Sequence, residues 1–406
     1  MTCDIKMLRE KLVNERQTHL WDHLETLSGE ERQDFLNALF GIDFSFFQRA
    51  ETSFQNRSYE IAPIEIFTCG MVRKNKEVLQ SIGLSAVKEG KIAAVLLCGG
   101  QGTRLGFDHP KGLYDIGITR SLPIFQFHFS YMREVALHAG GWFPVFIMTS
   151  ESNDEEIREY LKKKDYFGYN GDFVCTYVQN MVPSTDFEGK ILLGGKTKLA
   201  MSPDGNGGWF SSLVSAGLLE SAKRAGIEWF NVVSIDNVLQ RTADPLFIGA
   251  TLQSGAECGA KVIRKSSPDE RIGLICRNRG RPAVIEYYEL DRLLRDGGVR
   301  TDGIEYGVIL NYLFRLEQME QTLSRPLPVH KVRKKIPYFS DGRQILPEKE
   351  NGYKYEMLAT DLVEFMGSCL PYEVRREMEF APVKNRHGTD SVDTAREMLK
   401  AAGYRL

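Results

Sequence analysis

A short apolar run that passes at once into a glycine cluster constrains this chain more than any other feature. Ile92-Ala93-Ala94-Val95-Leu96-Leu97 shows no polar alternation, so it reads as a strand buried on both faces, as in a parallel sheet under helices. The turn that follows carries Gly99, Gly100 and Gly102, and a residue without a Cβ lets a ligand come close to the backbone. Successive N–H groups in such a turn form an anion-binding concavity, to which Arg104 and Lys111 add full positive charges. The stretch 91–117 reads as a phosphate site.

Better-known glycine loops do not fit it. A Walker loop needs Gly-Lys-Ser/Thr after four intervening residues, whereas Gly102 is followed by Thr103-Arg104-Leu105-Gly106. The dinucleotide fingerprint fails as well, because the third glycine falls at 106 rather than 105 and no acidic residue closes a second strand at the usual distance.

With 406 residues the chain can form one large or two modest domains, and its 42% hydrophobic and 26% charged residues are ordinary for a globular protein. A formal net charge of −2 supplies no basic field for nucleic acid, so small molecules are the expected partners. Cys3, Cys69, Cys98, Cys175, Cys258, Cys276 and Cys369 are scattered, with no zinc spacing, and read as reduced packing thiols of a cytoplasmic protein. The first residues are charged throughout rather than apolar, unlike a signal peptide. No run is long enough for a membrane helix. A soluble intracellular chain is expected.

Taken in order, residues 1–60 read as helices, with a new helix start at Ser28-Gly29-Glu30-Glu31. Phe44, Phe46, Phe47 and Phe54 suggest a docking face onto the main domain. From 91 to about 335, strand and helix signals alternate, as in parallel β-α units. Strands are expected at 143–149, 173–178, 229–235, 258–264, 273–276 and 283–288. Helices are expected at 124–139, 154–164, 209–225 and 391–402, and 304–314 reads as strand then helix. The fold class is therefore α/β, a central, mostly parallel Rossmann-like sheet flanked by helices, with a helical N-terminal region. The expected parts are 1–85, helical; 86–335, the α/β catalytic domain; and 336–406, a C-terminal segment that completes the site.

Ligands of open α/β sheets sit beyond the carboxyl ends of the strands. Gln179 and Asp236 stand at two such ends, and Asp236 is where a carboxylate facing a triphosphate would hold Mg2+. Gly205 and Asn206 lie in a glycine-rich helix entrance, which can meet a flat base edge. Glu286 sits within an apolar run, where a carboxylate needs a ligand hydroxyl or a basic partner unless it faces solvent.

Together LCGGQGTRLG, PKGLYDIG, MSPDGNGG, SIDN, FIG with CGAKV, VIEY, KKIPY and FAPVKN, in that order, resemble the eukaryotic-type UDP-N-acetylhexosamine pyrophosphorylases from about residue 30 to 405. The resemblance implies a nucleotidyltransferase of the glycosyltransferase-A-like fold. Gly99, Gly100, Gly102 and Thr103 would cradle the UTP phosphates, and Arg104 and Lys111 would hold the pyrophosphate. Gln179, Gly205 and Asn206 would recognise uracil. Asp236 would bind Mg2+. Asn237, Gly273, Glu286 and Gly307 would contact the sugar, and Lys384 would reach a phosphate of the sugar or UDP.

Two departures accompany it. Glu305-Tyr306-Gly307-Val308 stands where relatives carry Asn-Ala-Gly-Asn at the acetylated sugar, and Val178 replaces a common glutamine. Many relatives also continue past the position of Leu406 into a β-rich region, so their oligomer contacts need not apply, and a monomer is expected. The implied reaction joins UTP and N-acetylglucosamine or N-acetylgalactosamine 1-phosphate, releasing pyrophosphate. Its nucleophile is already anionic and needs no general base. The alternatives are a UDP-glucose or UDP-galactose pyrophosphorylase on the same scaffold, and a non-catalytic nucleotide-sugar binder.

Overall fold

The computed structural model describes residues 2–55, 59–295 and 302–406, apart from the side chains of 2–3 and 51–55. The chain forms two compact units, one from residues 1–57, 180–208 and 327–358, the other from 58–179, 209–326 and 359–406. This division differs from the three contiguous parts expected above, because the chain leaves the larger unit after residue 179 and returns to it twice. Hydrophobic periodicity reports local elements and carries no mark of such excursions.

Among the described residues the larger unit has a ten-stranded mixed sheet. Its strands are β1 (Ile61–Ala62), β2 (Ile92–Leu97), β3 (Val145–Thr149), β4 (Val174–Val178), β5 (Trp229–Ser234), β6 (Cys258–Arg264), β7 (Leu274–Asn278), β8 (Arg281–Ile285), β9 (Tyr306–Arg315) and β10 (Cys369–Glu373). The main path runs β1-β7-β9-β5-β2-β3-β4, with β8 beside β7 and β6 between β9 and β10. β5, β2, β3 and β4 are parallel, so they end along one edge. All six residues of β2 are buried, as its unbroken apolar run requires.

The helix Ile124–Ala139 buries Ile124, Phe125, Phe127, Phe129, Met132 and Val135 in the main core. Helices Lys76–Lys88 and Pro245–Ser254 cross closely, with glycine at each contact. A Cβ on Gly83 would lie 1.9 Å from Pro245 O, and one on Gly249 would lie 1.9 Å from Leu79 O.

The smaller unit packs helices Thr18–Glu25 and Gly29–Phe40 around Leu20, Leu24, Phe35 and Leu39, with Ile191 and Leu199 in the same core. Ser28 does precede the second of these helices in an extended conformation. Phe46 packs with Val329, Tyr355 and Met357 of the same unit, while the side chain of Phe54 lies outside the described residues.

Three element assignments change. The expected strand at 283–288 ends at Ile285, and Tyr287–Arg295 is a helix of strong amphipathic pattern. Residues 304–314 form no strand-to-helix junction; β9 runs unbroken to Arg315 through an irregularity between Val308 and Tyr312, where Leu310 has φ +52°. Such a bulge lengthens a strand past the point where side-chain alternation fails. The expected helix 209–225 is two pieces, Trp209–Ser215 and Leu219–Arg224, parted at Gly217 with φ +73°.

Among the described residues no helix is long and apolar enough to cross a membrane, and Cys69, Cys98, Cys175, Cys258, Cys276 and Cys369 are free thiols.

Candidate active site

The glycine turn leaves the carboxyl end of β2 and is held at its root. Cys98 N donates to Met148 O at 2.8 Å, and Asn153 Nδ2 donates to Cys98 O at 3.1 Å. Its two legs are tied by Gly102 N to His109 O (2.9 Å) and by Lys111 N to Gly100 O (3.2 Å). A Cβ on Gly99 would stand 2.9 Å from Gln179 Oε1, and one on Gly102 would stand 2.7 Å from Phe107 O. A Cβ on Gly100 would meet nothing within 4 Å. Two of the glycines thus serve the protein's own packing, while the third borders open space. Thr103 and Arg104 follow on an exposed 3-10 turn.

Lys111 opens a second 3-10 turn, seated by Gly112, whose added Cβ would fall 2.3 Å from the Phe125 ring. Lys111 Nζ lies 4.0 Å from Asp236 Oδ2. Asp236 follows the carboxyl end of β5 and accepts Ser234 Oγ at 2.7 Å through Oδ1. Lys384 is brought alongside by the chain itself, because Val383 N donates to Asp236 O at 2.8 Å. Lys384 Nζ donates to Asp390 Oδ2 at 2.9 Å. Burial disfavours its charge, but Asp236 and Asp390 outweigh that and hold the ammonium above the ordinary lysine range, against a contrary push from Arg104. Arg104, Lys111, Asp236 and Lys384 therefore form one electrostatic cluster at the carboxyl edge of the parallel strands.

Gln179 is buried just past β4, with its N–H donated to Thr149 O at 2.9 Å. Gly273, Glu286 and Gly307 share a neighbourhood on the other flank. Val308 N donates to Gly273 O at 2.9 Å, and a Cβ on Gly273 would lie 3.3 Å from Glu286 Oε1. Glu286 stands just past β8 and accepts Thr360 Oγ1 at 3.1 Å. Asn237 is buried and holds the backbone: its Nδ2 donates to Glu379 O (2.7 Å) and Gln240 Oε1 (2.5 Å), and its Oδ1 accepts Ala381 N (2.8 Å).

Gly205 and Asn206 belong to the smaller unit. Gly205 has φ +93°, and a Cβ there would lie 2.3 Å from Met357 O. Gly207 N donates to Met357 O at 2.8 Å and Met357 N to Asp204 O at 2.7 Å, so this loop is zipped to residues 356–358.

A family model described as UTP–glucose-1-phosphate uridylyltransferase matches residues 44–392. The chain belongs to this family. Within the uridylyltransferase family it falls with the UDP-N-acetylhexosamine pyrophosphorylases. It is 36% identical over 340 residues to UDP-N-acetylhexosamine pyrophosphorylase-like protein 1 of Mus musculus, covering 80% of this chain and 66% of that one. It is 32% identical to UDP-N-acetylglucosamine pyrophosphorylase of Saccharomyces cerevisiae, covering 95% and 84%. The chain thus spans just under two thirds of the mouse relative's length. The crystal structure of a uridine diphosphate N-acetylglucosamine pyrophosphorylase from Trypanosoma brucei, in complex with inhibitor, superposes with a TM-score of 0.81 at 27% identity, covering 98% and 84%.

Several residues of this uridylyltransferase-family chain escape sequence reasoning. Ser234 precedes Asp236 by two positions, and only the carboxyl-edge geometry gives its hydroxyl a purpose. Thr360 reaches Glu286 from a loop without a glycine or strand signature, and Asp390 reaches Lys384 from the turn at Gly388, which belongs to none of the motifs read above. The motif CGAKV could have pointed to Lys261, because a lysine inside a continuous apolar strand demands buried partners.

Proposed function

We propose that the chain is a nucleotidyltransferase that makes a UDP-N-acetylhexosamine, UDP-N-acetylglucosamine first, and pyrophosphate from UTP and the sugar 1-phosphate. The observation that carries this reading is the grouping of Lys111 and Lys384 about Asp236, with Arg104 acting on Lys384, beside a glycine turn whose Gly100 is open. The names of the mouse, yeast and trypanosomal relatives support the same reaction class.

The sugar phosphate oxygen attacks the α-phosphorus of UTP in line and expels pyrophosphate. Because that oxygen is already anionic, the protein's work is alignment and charge neutralisation. The turn N–H groups of Gly99, Gly100 and Thr103 receive the triphosphate, while Gly102, expected to join them, gives its N–H to His109 O and shapes the turn instead. Arg104 and Lys111 hold the departing pyrophosphate, and Lys384 takes the phosphate of the sugar or of UDP. Gln179 reads the uracil, and Gly273, Glu286 and Gly307 border the sugar, while Asn237, buried and bonded to the backbone at 379 and 381, holds the loop beside them. Among the described residues no group of three or more His, Cys, Asp or Glu forms a metal cage. One carboxylate completed by phosphate oxygens nonetheless suits Mg2+, which Asp236 would hold. When bound, that ion neutralises charge developing on the phosphates.

A second reading, transfer to glucose or galactose 1-phosphate, is favoured by Glu305-Tyr306-Gly307-Val308, where Tyr306 Oη donates to Glu373 Oε1 at 3.1 Å and Val308 is buried. Pyrophosphate release from UTP and Mg2+ with N-acetylglucosamine, N-acetylgalactosamine, glucose and galactose 1-phosphates separates the two. Preference for an acetylated sugar is the expected result. Silence with all four would make the chain a binding protein.

A further inference from the structure

Lys261 projects from β6 with no exposure, and Lys261 Nζ donates to Asp244 Oδ2 at 2.7 Å and to Glu379 Oε2 at 2.6 Å. Arg241 Nε lies 3.8 Å from Glu379 Oε1, so two cations and two carboxylates balance. Burial pushes the Glu379 carboxyl upward, with Lys261 and Arg241 opposing it. Such clusters are poor stabilisers, since taking ions out of water consumes most of what their attraction returns. What this one does have is connectivity.

Asp244 uses its other oxygen to cap the helix Pro245–Ser254, accepting Leu246 N at 3.1 Å. It thereby ends the loop that begins at Asp236. Glu379 accepts Asn237 Nδ2 through its main-chain oxygen, and it begins the segment that ends at Lys384. Between these anchors the two segments clasp one another: Asn237 bridges Pro382, Ala381 N donates to Asn237 Oδ1 at 2.8 Å, and Val383 N donates to Asp236 O at 2.8 Å. Gln240 adds a tie to β9, donating to Leu310 O at 2.8 Å.

We infer that Lys261 is a positioning residue, fixing through Asp244 and Glu379 the clasp that sets the Asp236 carboxylate and the Lys384 ammonium at the reacting phosphates. The inference rests on the uridylyl transfer proposed above. A displacement of about 1 Å in such a frame costs on the order of 10²-fold in rate.

The test compares the wild type with Lys261→Met and with the triple variant Lys261→Met, Asp244→Asn, Glu379→Gln, which removes the two buried carboxylates that could prevent the single variant from folding and leaves only Arg241, about a third exposed, to be solvated. Steady-state kinetics with UTP, Mg2+ and the preferred sugar phosphate are read beside amide hydrogen exchange. The expected result is a kcat lowered about tenfold or more, a UTP KM within about twofold, and faster exchange at 236–240 and 381–384 with none at 92–100. Rescue of kcat by Lys261→Arg would add support. A folded triple variant with wild-type kcat, or with exchange unchanged at the clasp, overturns the inference. A wild type that releases no pyrophosphate defeats the uridylyl-transfer reading instead, while the exchange comparison still decides whether Lys261 holds the clasp.

Discussion

Lys111 Nζ faces Asp236 Oδ2 at 4.0 Å, and both side chains keep about a fifth of their surface open, 17% and 20%. The separation is longer than a direct charge-assisted hydrogen bond, so neither group is consumed by the other. Lys111→Met should therefore leave the melting temperature nearly unchanged, since a partly exposed ion pair contributes little. Turnover should fall by about 10² to 10³, as for loss of a single electrostatic donor at a reacting group. Near-normal pyrophosphate release from that variant would remove Lys111 from the phosphate site.

Gly100 and Gly102 offer a paired test within one turn. Gly102→Ala would drive a methyl to 2.7 Å from Phe107 O and 3.2 Å from His109 O, backbone atoms that cannot move aside cheaply. It should destabilise the fold by about 1–3 kcal/mol. Gly100→Ala meets no atom within 4 Å, so stability should hold to about 1 kcal/mol. The KM for UTP should nevertheless rise about tenfold or more, the loss of a hydrogen bond to a charged group. Denaturant titrations and UTP saturation curves read the two effects separately, and equal stability losses would contradict the assignment of open space at Gly100.

His128 gives the fold an acid limit. It is buried beneath the end of β5, Nε2 lies 3.1 Å from Ile235 O, and burial lowers its pKa to about 4, only partly opposed by that carbonyl and by Asp236. In the unfolded chain the imidazole binds a proton near 6.5. Between those values the unfolded state holds more protons, so the contribution is fully present above pH 6.5 and is lost as the pH falls towards 4. It amounts to about 3 kcal/mol. Unfolding free energies measured from pH 7 to 4.5 should decline more steeply in the wild type than in His128→Leu. Parallel slopes would refute the assignment.

The sequence exposes those parts of the molecule whose cause is local. β2 falls where its unbroken apolar run puts it, β6 covers the expected 258–264 despite Lys261 within it, and the helix Ile124–Ala139 begins and ends at the expected residues. Strand order is non-local, yet Gln179 and Asp236 could be placed at strand ends because every parallel β-α unit presents its carboxyl end to one edge. What stayed hidden depends on long-range pairing. The bulged course of β9 comes from neighbours on both sides, β5 and β6. The Lys261 cluster joins residues 244, 261 and 379. The smaller unit combines three distant stretches of chain, which no window of sequence can register.

Asp390 supplies the last test, because it acts on Lys384 without belonging to any motif. Asp236 and Asp390 together overcome the burial that disfavours the Lys384 ammonium, so removing one of the two carboxylates must lower that lysine's pKa. Lys384 would then lose its proton at a lower pH, and the alkaline limb of kcat/KM should move towards neutrality in Asp390→Asn. The amide still offers an oxygen to Nζ in place of Oδ2 at 2.9 Å, so the rate at pH 7 should fall less than in Lys384→Met. The lysine is 42% exposed in its side chain, and solvent screening keeps the shift small. An alkaline limb unmoved in Asp390→Asn but abolished in Lys384→Met would mean that Asp390 fixes the loop 384–390, through the bond from Lys384 N to its own carbonyl, and does not tune the charge.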